Sequence, residues 1–230
     1  MTKKTSALLL MAGTGKRFGS ALPKQFHYLA GKKIYLHTLE RFLTAALFDE
    51  VILVVTADRI DEIKAEVPPF VRIVAGGASR QESSYLGLRA CRDCAVVCIH
   101  DVVRPFVTTE LLRETILCAQ EYGAVNTCIP STDTLVYAPG QRTIHSIPLR
   151  RDYLRGQTPQ AFQYPLILAA HEIARTNGMI DRTDDCTLIV ERGIPVHIVL
   201  GSESNIKITN ELDLCLAEQI LLKNSCVSGV

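Results

Sequence analysis

The sequence predicts an α/β protein built on a mainly parallel sheet, and three observations predict it. Short apolar runs alternate with amphipathic stretches along the whole 230-residue chain. Several of these runs, Val51-Ile-Leu-Val-Val55 above all, are continuously apolar, as strands covered on both faces are. The stretches between them carry apolar residues at helical spacing. Strand–helix alternation of this kind gives parallel strands joined by right-handed crossovers. The length is that of one domain spanning residues 1–230.

Taken in order, strands are predicted at 6–11, 51–55, 71–74, 95–100, 124–129 and 196–200. Tyr35, Leu39, Phe42 and Ala46 fall on one helical face, and Leu111, Ile116 and Ala119 on another. The stretch 134–147 breaks the rhythm, with two strand-like runs around Pro139-Gly140 that read as a hairpin. It is flanked by Arg-rich sequence, Arg150-Arg-Asp-Tyr-Leu-Arg155. A hairpin inserted late in a parallel α/β fold has no sheet of its own, so it must pack on another surface, and a second subunit is the natural candidate. Residues 224–230 read as a frayed tail.

Composition narrows the function. Twenty-five Lys and Arg against twenty-four Asp and Glu leave a net charge of +1, far from the basic surplus of a nucleic-acid binder. With 47% hydrophobic residues the chain is not a disordered one. No apolar run approaches the roughly 18 residues of a membrane span, and the apolar stretch after the basic start is short for a signal peptide. Neither nucleic acid nor membrane is expected as a partner. Eight cysteines are too sparse to staple the chain; Cys98, Cys118, Cys128 and Cys215 sit singly in apolar or helical stretches. The expectation is a reduced, cytoplasmic protein.

The first strand runs into Met11-Ala-Gly-Thr-Gly-Lys-Arg-Phe-Gly19, followed by Leu22-Pro-Lys-Gln-Phe26. Glycines directly after a parallel strand let backbone N–H groups approach phosphate without a Cβ in the way. The spacing matches neither a P-loop nor the dinucleotide-binding fingerprint. Lys16 and Arg17 follow Gly15 at once, and Pro23 stops a helix from running through to Lys24. Two readings stand: a plain turn with solvated basic residues, or backbone donors and cations aimed at one phosphate, as a triphosphate requires.

Gly13-Thr-Gly-Lys-Arg-Phe and Pro23-Lys-Gln25 resemble the signature of the 2-C-methyl-D-erythritol 4-phosphate cytidylyltransferases and of the related ribitol 5-phosphate cytidylyltransferases. The similarity continues through Gly76-Gly-Ala-Ser-Arg-Gln-Glu-Ser83, His100-Asp-Val-Val-Arg-Pro105, Asp133-Thr134, Gln157-Thr-Pro-Gln160, Thr183-Asp-Asp185 and Asn205-Ile-Lys-Ile-Thr209. The resemblance implies a Rossmann-like fold and transfer of CMP from CTP to a polyol phosphate, with release of pyrophosphate. In that reading Arg17 and Lys24 flank the α-phosphate, where preplaced cations stabilise the charge that grows during attack. Ala12, Gly13, Thr14, Gly15, Gly77 and Ser83 form the nucleotide pocket. Asp101 holds Mg²⁺ or another divalent cation shared with the triphosphate. Arg150 and Lys207 grip the acceptor phosphate, and Thr134, Thr183 and Asp184 contact its hydroxyls or phosphate. The family's hairpin, around residues 133–150 here, is a dimerisation arm exchanged between protomers, which implies a homodimer whose sites borrow Thr134 and Arg150.

Relatives that use methylerythritol phosphate commonly carry Asp before the residue matching Arg150, where this chain has Pro148-Leu149. Methylerythritol phosphate is the favoured acceptor, in the non-mevalonate route to isoprenoid precursors, with ribitol phosphate as the alternative. Arg104 is a natural partner for the Asp101 carboxylate. His100 reads as structural, because a phosphate nucleophile needs no strong base. Two rivals come from other classes: a noncatalytic CTP-binding regulator, which would be expected to lose Lys24 or Lys207, and a metal or redox module suggested by Cys91-Arg-Asp-Cys94 and Cys98.

Overall fold

The computed structural model describes residues 4–13, 18–20, 22–140 and 142–227, and each strand read from the sequence is present, shifted by at most one residue. In chain order come β1 (Thr5–Leu10), a small ribbon of β2 (Tyr28–Leu29) and β3 (Lys32–Lys33), α1 (Ile34–Ala45), β4 (Glu50–Val55), α2 (Ile60–Glu66) and β5 (Arg72–Ala75). Then follow α3 (Arg80–Ala90), β6 (Val96–Asp101), α4 (Thr109–Tyr122), β7 (Ala124–Pro130), β8 (Leu154–Gln163), α5 (Tyr164–Thr176), α6 (Asp185–Val190), β9 (His197–Leu200) and α7 (Glu211–Val227). The main sheet has the order β5-β4-β1-β6-β8-β7-β9. All pairings are parallel except those of β8, which runs antiparallel between β6 and β7.

The apolar runs are continuous because helices cover both faces. Ala7, Leu9, Leu53, Val55 and Cys98 pack on one side with Tyr35, Leu39 and Phe42 of α1 and Leu112 and Ile116 of α4. Leu8, Leu10, Ile52, Val54 and Ile99 point to the other side, onto Leu88 of α3, Ile167 and Ala170 of α5 and Ile189 of α6. Successive residues of one strand thus serve two cores. Local signals bound the helices. Ser79 accepts from Glu82 N–H at 3.0 Å to start α3, Thr108 accepts from Leu111 N–H to start α4, and Gly123 at φ 93° ends α4. Ala46, expected on the inner face of α1, is instead its left-handed exposed cap, and Ala45 is the residue that packs inward.

Three further expectations change. β8 was not read as a strand, since Pro159 and the polar Gln157, Thr158 and Gln160 hide its pattern; it nonetheless lies inside the sheet, with those three polar side chains buried. The proline is accommodated where the β7 register shifts between Asn126 and Cys128. The 134–147 segment does turn back on itself, through one antiparallel bridge between Tyr137 and Ser146. It lies on the surface, with Val136, Tyr137, Ile144, Ile147 and Leu149 all exposed. The expected fray at 224–230 is helical through Val227, and 228–230 lie outside the described residues.

Gly87 marks where α3 meets the sheet most closely: a Cβ there would press on the Leu8 side chain and sit 2.8 Å from Val54 Cγ2. Gly87→Ala is expected to destabilise the protein by about 1–3 kcal/mol, the cost of overpacking, despite alanine's better helix propensity. The measurement is a urea midpoint that falls at unchanged m-value; an unchanged or raised midpoint would show that the contact yields freely.

Candidate active site

A cleft of about 530 Å³ opens where the carboxyl ends of β1, β4, β5 and β6 meet. From β1 the chain continues to β4 and β5 on one side, while β6 lies on the other. This reversal of winding beside β1 leaves a crevice of the kind in which open α/β sheets bind ligands. Its walls are Met11, Ala12 and Gly13 after β1, Lys24 and Gln25, the loop Gly77–Ser79 with Arg80 and Ser83 of α3, Asp101 to Val103, and Lys207 and Thr209. Lys24, Lys207, Asp101, Ala12, Gly13, Gly77 and Ser83, scattered in the sequence, therefore meet in one place. Thr14, Gly15, Lys16 and Arg17 lie outside the described residues.

Each wall is held from behind. Gln25, buried, donates from Nε2 to the carbonyls of Met11 at 2.7 Å and Gly13 at 2.9 Å, so the strand end and the Lys24 turn are tied together. Pro23 precedes that 3-10 turn, Lys24–Phe26, and suits its start. The Ser83 hydroxyl accepts from Gly77 N–H at 3.1 Å and donates to the Ser79 carbonyl at 2.9 Å, so it shapes the second loop. Gly76 lets that loop reach the first: a Cβ there would lie 2.6 Å from Ala12 Cβ. At Gly13, by contrast, an added Cβ would meet no atom of the described residues within 4 Å, its chain neighbours aside.

Asp101 is the charged centre of the floor. Its Oδ2 accepts from Lys207 Nζ at 2.6 Å, and Oδ1 lies 3.5 Å from Arg80 Nε. Burial alone would raise its pKa, but the Arg80 and Lys207 charges outweigh it and hold the carboxyl well below the usual carboxylate range. Arg80 also donates from Nη1 to Asp185 Oδ2 at 2.7 Å; burial opposes its charge, and the two aspartates raise its pKa above the ordinary arginine value. Asp185 in turn takes Ser84 Oγ at 3.1 Å and His171 Nε2 at 3.0 Å. The sequence reading assigned no role to Arg80 or Gln25, although both stood inside the quoted motifs. Arg104, expected as the carboxylate's partner, adds a smaller favourable charge to Asp101 but gives its hydrogen bond to the Asn205 carbonyl at 2.8 Å. Asn205 spans to the Thr158 carbonyl at 2.9 Å, and Ile208 N–H bonds Val103 O at 2.9 Å. These bonds anchor the loop that presents Lys207.

His100 is fully buried. Its Nε2 meets the Arg104 carbonyl at 3.0 Å, so that nitrogen carries the proton, and its Nδ1 accepts from Thr158 Oγ1 at 3.0 Å. Thr158 Oγ1 accepts in turn from Asp101 N–H at 3.2 Å. Burial lowers the His100 pKa to about 4, so the ring is neutral at pH 7 and sets backbone geometry.

The remaining predicted residues lie elsewhere in this chain. Thr134 and Arg150 are exposed at the arm; Arg150 donates to the Thr132 carbonyl at 2.8 Å and lines a separate shallow depression with Ser131, Leu149 and Tyr153. Thr183 is exposed beside α6. Asp184 caps α6, accepting from Cys186 N–H at 2.8 Å, and takes Gln160 Nε2 at 2.7 Å on its other oxygen. For a divalent cation, the described residues offer no group of three or more His, Cys, Asp or Glu. One carboxylate, Asp101, faces the cleft, and that donor set fits a hard cation that brings triphosphate oxygens with it rather than one caged by protein alone.

The neutral state of His100 has a measurable consequence. Its folded pKa lies near 4 and its unfolded value near 6.5, so the unfolded chain binds the proton first and stability falls as pH drops through that window. Between pH 7 and pH 5 His100 is expected to contribute about 1–2 kcal/mol of lost stability, at about 1.4 kcal/mol per pKa unit. Urea midpoints of wild type and His100→Gln at the two pH values check it; an equal loss in both proteins would contradict the assignment.

Comparison with known proteins agrees with the geometry. The family model described as 2-C-methyl-D-erythritol 4-phosphate cytidylyltransferase matches residues 5–223. A protein of that name from Clostridium botulinum strain Langeland is 39% identical over 96% of this chain and 98% of its own length. Another, from Alkaliphilus oremlandii, is 38% identical over 95% of each. Among solved structures, the 4-diphosphocytidyl-2C-methyl-D-erythritol synthase of Anaerococcus prevotii superposes with a TM-score of 0.84 at 31% identity, over 96% of both chains. The 2-C-methyl-D-erythritol 4-phosphate cytidylyltransferase of Thermus thermophilus superposes with a TM-score of 0.77 at 31% identity, over 93% of this chain and 97% of that one. A cleft at the β1/β6 crevice, lined by Lys24 and Lys207 from distant parts of the chain together with the buried Asp101, and similarity along nearly the full length lead to one conclusion: the chain belongs to the 2-C-methyl-D-erythritol 4-phosphate cytidylyltransferase family.

Proposed function

We propose that the cleft carries out cytidylyl transfer with the residues the sequence singled out. The enzyme moves CMP from CTP to 2-C-methyl-D-erythritol 4-phosphate, releasing pyrophosphate, a step toward isoprenoid precursors. An oxygen of the acceptor phosphate forms the new bond to the α-phosphorus as the bond from that phosphorus to the β-phosphate bridging oxygen breaks. The observation that carries the reading is the convergence of Lys24, Lys207 and Asp101 on one crevice floor beside Ala12, Gly13 and the Gly77 loop. The ribitol phosphate alternative is not favoured, since the relatives carry the methylerythritol name.

Lys24, and Arg17 beside it in sequence, would meet the nonbridging oxygens of the α-phosphate, where negative charge grows during attack. Gly13 and the Gly77 loop, whose own amides at Gly77 and Ala78 are held by Ser83 and Glu82, would line the nucleotide side of the cleft. Asp101 would hold a divalent cation, which supplies charge neutralisation of the triphosphate oxygens. Lys207, fixed through Asn205 and Ile208, would orient the acceptor phosphate, so that rate comes from position. The acceptor is already an anion, which accords with a neutral, buried His100 that takes no part. Thr183 would lie toward the acceptor, with Asp184 holding the start of α6 beneath it.

Arg150 and Thr134 serve as acceptor-phosphate ligands if two protomers exchange arms. Support comes from the exposed apolar side chains of the 133–150 segment and from Arg150 lining no part of its own chain's cleft. The same reading makes the protein a homodimer; separately, the free thiols among the described residues accord with a reducing, cytoplasmic setting.

Pyrophosphate release from CTP is expected to depend on methylerythritol 4-phosphate and to be much slower with ribitol 5-phosphate; the reverse preference would overturn the acceptor assignment. Lys24→Ala is expected to lower kcat by about 10²–10³, the usual cost of losing one such donor. A change confined to the KM for CTP would place Lys24 in ground-state binding instead. Arg17→Ala and Arg150→Ala subunits, each inactive alone, should regain about a quarter of wild-type activity when equal amounts are dissociated and reassembled at random. Verified heterodimers without recovery would mean that each site is built within one chain.

A further inference from the structure

Arg80 stands between two buried carboxylates and leans to one of them. Its Nη1 donates to Asp185 Oδ2 at 2.7 Å, while its Nε stays 3.5 Å from Asp101 Oδ1. The first distance is that of a charge-assisted hydrogen bond, and the second is well beyond it. Arg80 and Asp101 both line the nucleotide cleft. Asp185 is buried and does not line it, so this arginine of the cleft wall is held from outside the cleft.

Asp185 is itself fixed. It opens α6, and its carboxylate also takes Ser84 Oγ at 3.1 Å and His171 Nε2 at 3.0 Å. Ser84 stands one turn after Arg80, so one face of α3 gives Asp185 two donors. The loop before α6 is tied to the same end of α3. Gln81 donates to the Met179 carbonyl at 2.7 Å and accepts from Arg182 N–H at 2.8 Å, and Ser79 Oγ donates to the Ile180 carbonyl at 3.0 Å. Three helices, α3, α5 and α6, thus hold one carboxylate still. Without it Arg80 has another partner within reach. A guanidinium this close to Asp101 needs only a small rotation to form a two-pronged pair with it. Asp101 already takes Lys207 Nζ at 2.6 Å. A second short bond from a cation would leave less of its negative charge for an ion arriving with a nucleotide.

We propose that Asp185 is a positioning residue for the transfer reaction: by holding Arg80 it keeps the Asp101 carboxylate open to the divalent cation that accompanies the triphosphate. This rests on the reading above in which Asp101 receives that cation. Asp185 touches neither nucleotide nor acceptor in that reading and acts through Arg80 alone. Ser84 and His171 act one step further back, by fixing which way the Asp185 oxygens face. Asp185→Asn exposes this role. The amide keeps the size of the carboxylate, but its NH₂ group has to meet N–H donors that both carboxylate oxygens now accept. The guanidinium is then released toward Asp101.

The test is binding of a CTP analogue with a methylene group between its α- and β-phosphorus atoms, measured by calorimetry with Mn²⁺ and again in EDTA. The two dissociation constants give the factor by which the ion tightens the nucleotide, a coupling from which general damage to the nucleotide pocket cancels. In Asp185→Asn that factor is expected to fall about tenfold. In Asp185→Asn/Arg80→Met, which removes both charges together, it should return to within about threefold of wild type. An unchanged factor in Asp185→Asn, or a fall that the double variant does not reverse, would overturn the proposal. Asp101→Asn separates the two readings. If it leaves the factor intact, the ion assignment fails and the proposal with it. If it removes the factor while Asp185→Asn behaves as wild type, the proposal alone fails. A crystal structure of the wild-type protein with Mn²⁺ and the analogue should keep Arg80 on Asp185. Arg80 hydrogen-bonded to Asp101 with the ion in place would overturn the proposal, whatever the variants do to folding.

Discussion

The buried carboxylate of Asp101 is the constraint on which the rest of the structure depends. An anion at the floor of a cleft is unfavourable unless cations face it, because desolvation of a charge costs several kcal/mol. Here the compensation comes from Lys207, near the end of the chain, and from Arg80, at the start of α3. To bring Lys207 there the last loop must be stapled under β6, which Asn205 and Ile208 do. To bring Arg80 there α3 must lie close on β1 and β4, which the missing side chain of Gly87 permits. Arg80 carries the constraint further, since its second partner Asp185 joins α6 and His171 of α5 to the same ionic group. One carboxylate thereby fixes elements on both sides of the sheet.

Six of the strands, together with α1 and α4, were legible because strands covered on both faces and helices with one apolar stripe leave a clear pattern. A continuous apolar run such as Val51 to Val55 suits a covered strand, and Tyr35, Leu39 and Phe42 fall on one helical face. β8 was illegible for the opposite reason. Its residues are chosen for hydrogen bonding: Thr158 supports His100 and Asp101 N–H, Gln157 bonds the Ser202 carbonyl, and Gln160 holds Asn126 and Asp184. A strand that serves as a polar seam between the nucleotide floor and the last loop carries no period-two apolar signal, and its proline argues against a strand altogether. Its function concealed its structure.

Within the site, motif reading found the residues that face the cleft and missed those that hold them. Lys24, Lys207 and Asp101 stand out as charges beside glycines or strand ends. Gln25 looks like an ordinary surface glutamine until the fold buries it against two carbonyls, and Arg80 looks like a solvated helix residue until β6 places Asp101 beside it. The misassigned partner of Asp101 follows the same logic. Arg104 is three residues away in sequence, and proximity in sequence suggested a pair; the turn after β6 directs its guanidinium to the Asn205 carbonyl. Long-range partners are set by topology, which no local spacing reveals.

The charge arrangement also explains why a catalyst of this kind can be assembled from such distant pieces. Cations placed before substrate arrives would repel one another if nothing balanced them. Asp101 balances Lys207 and Arg80 in the free protein, so the positive groups are held in position at little electrostatic cost. In the proposed reaction a triphosphate entering the cleft would compete for those cations with the buried carboxylate. Groups already oriented need no reorganisation when charge develops on the substrate, and this is where preorganised sites gain over water. In the proposed reaction that same carboxylate would hold the divalent ion arriving with the nucleotide, whose positive charge would take the place of the cations released to the phosphates.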